Sequence, residues 1–253
     1  MPHNNDIKLG IIMQILIPMS GLGSRFSAAG YSRPKPFIEF SGKTMIENVI
    51  ENLGYNNDYI LVVRREHYIE YADVFTRISQ RVSGFDAVIL DSVTRGAAES
   101  CLTAKNKLDP DSPLMIANCD QILEWNQDDF KSWFFSKDLD GVIMTFDSQS
   151  PKNSYAEIDD NGLVCRTVEK QVISTHATNG IYFWKRAQDF ISAAEEMIAQ
   201  DFKTNNEFYV APAYNFNIAL GQKIGVYKIK KHWPVGTPED LTLYLDNLSS
   251  KNK

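Results

Sequence analysis

Two cations stand in a glycine-rich segment, residues 17–43, in a pattern that suits phosphate binding. Gly21 and Gly23 precede Arg25, and Lys35 follows ten residues later between two prolines. Glycine permits positive φ angles and lets backbone N–H groups approach an anion closely. Arg25 offers a planar fork of donors, and Lys35 offers a compact charge. The segment therefore predicts a phosphate site built from backbone amides and these two cations.

Two better-known phosphate motifs are excluded in this segment. A dinucleotide fingerprint would need a third glycine where Phe26 stands, and a Walker A loop would need one at Phe37. The alternative is a glycine-rich turn with solvated cations. The charge favours a phosphate site, because the segment carries four cations and a single acid, Glu39, inside an acidic chain.

A carboxylate follows a second apolar run. Residues 114–117 read as a buried strand, and Asp120 comes three residues after it. Mg²⁺ is commonly held by one or two carboxylates together with substrate phosphates. Asp120 could equally be an N-cap or a turn former. The D-x-D metal motif of many glycosyltransferases is absent, because the position two after Asp120 is Ile122.

The elements that must position these residues alternate between strands and helices. Apolar runs predict strands at 14–17, 59–63, 87–90 and 114–117, and amphipathic spacing predicts helices at 44–53, 66–82 and 96–108. Thr44 is a plausible N-cap for the first of these helices. Repeated alternation predicts an α/β fold with a doubly wound, mostly parallel, Rossmann-like sheet.

The pattern changes after residue 140. Strands are predicted at 142–145 and 223–229, a helix at 186–200, and a hairpin around the turn Asn161-Gly162. We expect one domain over 13–248, with a nucleotide-binding half at 13–140 and a hairpin-bearing half at 141–248. Residues 1–12 are interpreted as an N-terminal extension.

Composition excludes several classes of protein. The 253 residues are 43% hydrophobic with a formal net charge of −6, and no apolar run approaches the length of a membrane span. The acidity argues against a nucleic-acid-binding surface. Three widely spaced cysteines indicate neither a disulfide framework nor a zinc site, and no secretory signal is visible, so a cytoplasmic protein is expected.

Five motifs taken together resemble the sugar-phosphate nucleotidyltransferases, or NDP-sugar pyrophosphorylases. They are GLGSRF with PKP, ANCD at 117–120, VEK at 168–170, NGIY at 179–182 and GTPEDL at 236–241. The resemblance is to the short form without a C-terminal β-helix, and it implies the nucleotide-diphospho-sugar transferase fold. It also implies Mg²⁺-dependent, in-line attack of a sugar 1-phosphate on the α-phosphate of an NTP, giving pyrophosphate and a nucleotide sugar for polysaccharide synthesis.

The resemblance also assigns roles to individual residues. Arg25 and Lys35 would be catalytic, and Asp120 would bind the metal. The residues assigned to the nucleotide are Met19, Ser20, Gly21, Gly23, Ser24, Gly96, Ala97 and Ala98. Those assigned to the acceptor half and its pocket are Glu169, Lys170, Asn179, Gly180 and Glu207. The implied partners are the NTP and the sugar phosphate. Binding to nucleic acid or to a membrane is not expected, and the resemblance is compatible with a homo-oligomer.

One departure from the family pattern keeps alternatives open. Many members place a second metal-binding aspartate where this chain has Pro234. Either Asp120 works with phosphates and water, or Glu207 or Asp240 assists. Three further readings stay open: a cytidylyltransferase for a phosphorylated non-sugar acceptor, a glycosyltransferase, and a sensor that binds nucleotide without turnover.

Overall fold

The computed structural model describes residues 12–251, so all but the last residue of the expected extension lies outside the described range. The strands are β1 Gln14–Pro18, β2 Glu39–Phe40, β3 Lys43–Thr44, β4 Asp58–Arg64, β5 Gly84–Leu90, β6 Leu114–Ala117, β7 Gln121–Leu123, β8 Gly141–Asp147, β9 Ser154–Ile158, β10 Val164–Glu169, β11 His176–Trp184, β12 Ile224–Lys228 and β13 His232–Pro234. The α-helices are α1 Ser24–Ala28, α2 Met45–Leu53, α3 Arg65–Glu70, α4 Ala72–Ser79, α5 Ala97–Leu102, α6 Gln127–Phe135, α7 Ala187–Ala199, α8 Ala213–Ala219 and α9 Pro238–Lys251.

One large sheet organises the described chain. Its main path is β10-β9-β11-β6-β1-β4-β5, and β8 pairs with both β11 and β12. The pairings run β1, β4, β5, β6, β8, β9 and β12 in one direction and only β10 and β11 in the other. The predicted α/β class with a mostly parallel sheet is confirmed.

Side chains of β1 show why both faces of this sheet are covered. Ile15 and Ile17 belong to one buried cluster, and Leu16 belongs to another. Successive strand residues point to opposite faces, so a continuous apolar run needs a helical layer on each side. Helices α2, α4 and α6 supply buried residues to the first cluster, and α5, α7 and α8 supply them to the second.

Two of the expected helices are shorter than predicted. The helix expected over 66–82 is divided into α3 and α4 at Tyr71, whose ring stacks on Phe37 at a centroid distance of 4.0 Å. Tyr71 has φ −111° and ψ 33°, outside helical geometry. The helix expected over 96–108 ends at Leu102 and is followed by a 3₁₀ turn, Lys105–Lys107.

The predicted hairpin and the predicted N-cap are both present. Strands β9 and β10 pair antiparallel, and Gly162 in their turn has φ +77°. Thr44 and Glu47 form a reciprocal capping box at the start of α2. Among residues 12–251, no helix has the length and apolar character needed to cross a membrane.

Glu47 is expected to make this cap sensitive to acid. Burial alone would raise the pKa of Glu47, but hydrogen bonds from Arg77 and Thr44 outweigh burial and lower it to about 2, against 4.5 ordinarily. A depressed carboxyl pKa stabilises the fold above the unfolded-state value and loses that contribution as pH falls toward 2. Because Arg77 is partly exposed, we expect Glu47→Gln to cost about 2 kcal/mol at pH 7, and less at pH 3.

Urea unfolding at both pH values measures this difference. Asp73→Asn is the matched control, because Asp73 also pairs with Arg77, at 2.6 Å, but its side chain is 70% exposed. The control should cost much less than Glu47→Gln, because solvent screens the exposed Asp73 carboxylate. An equal loss in the two variants, or a Glu47→Gln penalty that does not shrink in acid, would contradict the assignment.

Candidate functional site

The carboxyl ends of the parallel strands carry the predicted site residues. The glycine-rich loop follows β1, the 94–97 turn follows β5, and Asp120 follows β6. Ligands of open α/β sheets bind at this edge. A cleft of about 460 Å³, here called the loop cleft, is lined by Ser20, Gly21, Gly23, Ser24, Gly96, Ala97 and Glu207 together with Pro18, Leu22, Val93, Thr94 and Ser100.

Local contacts fix the shape of the loop cleft. Gly23 has φ +60°, and a Cβ there would lie 3.1 Å from the Lys35 Cβ, so glycine lets the loop pass over the lysine. Beneath the loop, the Ser20 and Ser100 hydroxyls are 3.2 Å apart, and Ser100 also contacts the Thr94 hydroxyl at 2.5 Å. The loop is therefore tied to α5.

Close packing ties the 94–97 turn to residues 207–210. A Cβ on Gly96 would lie 2.4 Å from the Phe208 carbonyl oxygen, and that oxygen accepts a hydrogen bond from Ala98 N–H at 3.0 Å. This approach brings Glu207 to the loop cleft. Met19 and Ala98 do not line this cleft, whereas the other six residues predicted to contact the nucleotide do.

Lys35 and Asp120 form an ion pair beneath the glycine-rich loop. Lys35 Nζ lies 2.7 Å from Asp120 Oδ2, and the side chains are 24% and 15% exposed. Burial by itself lowers the pKa of Lys35, but the charge and hydrogen bond of Asp120 raise that pKa above its usual range. Lys35 therefore stays protonated at neutral pH. The structure thus brings together Lys35 and Asp120, which were predicted from two separate segments of the sequence.

Gly236 supports this pair from the far end of the chain. A Cβ at Gly236 would lie 2.6 Å from Asp120 Oδ2, and Val235 N–H donates to the Asp120 carbonyl at 2.9 Å. The turn of the GTPEDL motif is thus packed directly against the carboxylate, which leaves no room for a larger residue.

Arg25 lies on α1 with its side chain exposed to solvent. Within residues 12–251 it makes no side-chain hydrogen bond or ion pair. Its positive charge is close enough to oppose the rise in the pKa of Lys35 caused by Asp120. Arg25 and Lys35 thus lie within electrostatic range of one another, and Asp120 pairs with Lys35. The remaining positive charge favours binding of an anion at this place.

A second cavity opens where β11 is irregular. The register of β11 against β8 shifts between Thr178 and Tyr182, and the intervening residues include Asn179 and Gly180. Gly180 has φ +85°, and a Cβ there would lie 2.1 Å from Asn118 Nδ2. The resulting space of about 370 Å³, here called the bulge pocket, is lined by Ala97, Asn118, Gln121, Phe146, Lys152, Asn153, Ser154, Glu169, Thr178, Asn179, Gly180, Tyr182, Tyr209, Val210, His232 and Pro234.

Two residues that line the bulge pocket each have a buried polar atom with no hydrogen-bond partner among the described residues. The two atoms are Asn179 Nδ2, a donor, and Gln121 Oε1, an acceptor. An unpaired buried polar atom costs about 1–3 kcal/mol, so the pocket is suited to a polar ligand. Sequence reasoning singled out Asn179 but missed Gln121, whose only sequence signal is its position after Asp120.

Of the predicted acceptor residues Glu169 and Lys170, Glu169 lines the bulge pocket and Lys170 does not, although Lys170 contacts the lining residue Tyr209. Burial raises the pKa of Glu169, and the Ser154 hydroxyl donates a hydrogen bond that opposes the rise. Lys170 Nζ donates to the Tyr209 hydroxyl and lies 4.6 Å from the centre of its ring. Tyr209 therefore restrains Lys170 at the pocket wall.

The carboxylates available for a metal ion are few. In residues 12–251, no three or more His, Cys, Asp or Glu side chains are grouped to hold one. Pro234 pairs with Gln121 in the small β7–β13 sheet, and Asp240 accepts a hydrogen bond from the Thr237 hydroxyl at 2.8 Å. Asp120 fits an ion that takes most of its oxygens from a bound phosphate ligand.

A mixed sheet with a phosphate-suited loop and an adjoining polar pocket at its carboxyl edge is typical of nucleotide-binding α/β proteins. The Nucleotidyl transferase family profile matches residues 14–240. The chain belongs to that family, and the resemblance drawn from its motifs is confirmed.

Individual relatives agree with this placement. The chain is 25% identical to the mannose-1-phosphate guanylyltransferase catalytic subunit beta of Dictyostelium discoideum, over 94% of this chain and 66% of that protein. It is also 25% identical to the bifunctional protein GlmU of Methanococcus maripaludis, over 90% of this chain and 53% of that protein. The chain thus spans between about half and two thirds of the length of these relatives.

A solved structure shows the same fold. The nucleoside-diphosphate-sugar pyrophosphorylase from Vibrio cholerae RC9 superposes with a TM-score of 0.80 at 27% identity, covering 92% of this chain and 99% of that one. The fold expected from the sequence is therefore the fold of a known pyrophosphorylase.

Proposed function

We propose that this chain condenses an NTP with a sugar 1-phosphate, giving a nucleotide sugar and pyrophosphate. The observation that carries the proposal is the pair of adjoining cavities that share Ala97. The loop cleft has backbone amides and nearby cations suited to a triphosphate. The bulge pocket has unpaired polar atoms suited to sugar hydroxyls. The reacting phosphates would meet where the two cavities join.

The chemistry requires charge control and does not require a general base. An acceptor phosphate oxygen forms the new bond to the α-phosphorus, the bond to the bridging oxygen breaks, and pyrophosphate leaves with that electron pair. The barrier comes from bringing two polyanions into line and from dispersing charge on the leaving group. In this proposal Arg25 stabilises the leaving pyrophosphate, and Lys35 contacts the α-phosphate.

We propose Asp120 as the protein ligand of a Mg²⁺ ion that enters with the NTP. The ion would supply Lewis-acid stabilisation of phosphate charge. Asp120 Oδ2 is paired with Lys35, so the Asp120 carboxylate would be shared between the ammonium group and the ion. Of the two carboxylates that could assist, Glu207 lines the loop cleft, and Asp240 accepts a hydrogen bond from the Thr237 hydroxyl.

A substrate panel tests the proposal. The protein is mixed with Mg²⁺, each of the four NTPs and a set of sugar 1-phosphates, and pyrophosphate release is measured. Adding phosphorylated non-sugar acceptors tests the cytidylyltransferase alternative, and adding finished nucleotide sugars tests the glycosyltransferase alternative. NTP binding without exchange of labelled pyrophosphate into the NTP would indicate a sensor and overturn the proposal.

The proposed function assigns one substrate to each of the two halves expected from the sequence. We infer that residues 13–140 bind the nucleotide and that residues 141–248 supply most of the acceptor pocket. Cys101, Cys119 and Cys165 are free thiols, which supports the proposed cytoplasmic location. This division of the two substrates between the halves is compatible with a homo-oligomer. Light scattering in solution would measure self-association.

Gln121→Leu is expected to weaken acceptor binding selectively. The substitution removes the unpaired Oε1 from the bulge pocket, so a sugar hydroxyl that donates to it would lose its partner. We expect KM for the acceptor to rise about tenfold while KM for the NTP changes less than twofold. Gln222→Leu is the matched control, because Gln222 Oε1 is likewise buried without a partner but lies outside the pocket. Equal effects of the two substitutions would argue against a ligand contact.

A further inference from the structure

A basic groove adjoins the bulge pocket at Phe146 and His232. This lysine groove has a volume of about 450 Å³ and is lined by Phe146, Asp147, Ile229, His232 and the lysines 228, 230 and 231. Phe146 and His232 line both cavities, and their rings are 4.1 Å apart. The ring pair thus forms the boundary between the lysine groove and the bulge pocket.

The lysine groove carries an excess of positive charge in an acidic chain. Asp147 is the only carboxylate in the lining of the groove, and it pairs with Lys228 at 2.7 Å. Lys231 Nζ lies 4.1 Å from the centre of the Trp233 ring, and Lys230 has no side-chain hydrogen bond or ion pair within residues 12–251. Burial lowers the pKa of His232, so the charge comes from the lysines. Neither Lys230 nor Lys231 forms an ion pair among residues 12–251, although Glu124 is close enough to Lys231 to interact with its charge.

The backbone that carries these lysines is held on both sides. Ile229 N–H donates to the Thr145 carbonyl at 2.9 Å, and Glu124 N–H donates to the Lys231 carbonyl at 3.0 Å. Ile229 itself is buried, with 4% exposure. The positive charge is therefore presented from a fixed turn, which lowers the entropic cost of binding an anion.

We propose that the acceptor carries a second anionic group, a carboxylate or a phosphate, which binds in the lysine groove. This inference rests on the proposed function and names its substrate class. The reacting phosphate would lie near Lys35 and Lys170, and the groove lies beyond the Phe146–His232 boundary. One anion cannot occupy both places. An acceptor that fills the bulge pocket and extends past this boundary would place a second anion among the lysines.

Affinities of matched ligands test the proposal without requiring turnover. Glucose, mannose and galactose 1-phosphates are each compared by calorimetric titration with their 1,6-bisphosphates and with the corresponding uronic acid 1-phosphates. In at least one series, we expect the doubly anionic ligand to bind at least about tenfold more tightly, and less so in high salt. The bisphosphate and uronate arms distinguish a phosphate from a carboxylate.

The variant K230Q/K231Q should remove this preference while affinity for the simple 1-phosphate changes less than twofold. K105Q/K107Q removes the same charge from lysines paired with Glu195 and Asp86, away from the groove, and should retain the preference. The proposal is overturned if no series favours the second anion, or if the preference survives in K230Q/K231Q. Pyrophosphate release is measured separately, so a protein that binds these ligands without turnover would contradict only the proposed function.

Discussion

Replacing Asp120 by asparagine is expected to lower the rate of pyrophosphate release at least about 100-fold. Asparagine keeps the size of the side chain beside Gly236, but it removes the negative charge that pairs with Lys35 at 2.7 Å. The proposed metal ion would lose its protein ligand, and the buried ammonium group would lose its counter-charge. Activity as a function of Mg²⁺ concentration, measured in both proteins, checks this expectation.

Two comparisons separate a catalytic effect from unfolding. Binding of Mn²⁺ with the NTP, followed by electron paramagnetic resonance, should weaken in Asp120→Asn, whereas the melting temperature should fall by only a few degrees. Asp91→Asn is the control, because Asp91 pairs with Arg65 at the surface and lies outside both cavities. An unchanged metal titration in Asp120→Asn would show that the ion is held elsewhere.

Arg25→Ala is expected to reduce kcat about 100-fold while KM for the acceptor changes less than threefold. The Arg25 side chain is exposed and has no side-chain partner in the described part of the chain, so its removal leaves no buried group unpaired. In the proposed mechanism, Arg25 would stabilise the leaving pyrophosphate mainly in the transition state, and removal of an interaction of that kind lowers kcat. Steady-state kinetics with saturating NTP measure both constants.

Arg33→Ala provides the matched control for this prediction. Arg33 lies in the same glycine-rich segment and carries the same charge, but its guanidinium pairs with Glu39. We expect its loss to change kcat less than threefold. If Arg25→Ala raised KM and lowered kcat by equal factors, Arg25 would only position the substrate.

The parts of the fold that depend on local sequence could be predicted. The apolar run of β1, the Thr44 cap and the Asn161-Gly162 turn each encode their structure within a few residues, and all three are present. The division of the helix at Tyr71 could not be predicted. The Tyr71 ring packs on Phe37, which is 34 positions earlier in the sequence, and local spacing does not reveal such a contact.

The residues of the candidate site also divide into those that could be predicted from the sequence and those that could not. Arg25, Lys35 and Asp120 could be selected because their charges stand near strand ends, where a doubly wound sheet gathers ligands. Gln121 could not, because a single glutamine has no motif. Its significance comes from the burial of one oxygen without a partner, which only the packed chain defines. The lysine groove likewise needs the approach of β8 to the turn after β12.

Residues 207–210 have a consequence for how the two substrates would bind. Glu207 lines the loop cleft, Tyr209 and Val210 line the bulge pocket, and Phe208 between them is packed against Gly96. A ligand in one cavity that displaces this short segment would also change the lining of the other cavity. The affinities for nucleotide and acceptor would then be thermodynamically linked, each altering the other by the same factor. Four consecutive residues would thereby couple the binding of the two substrates.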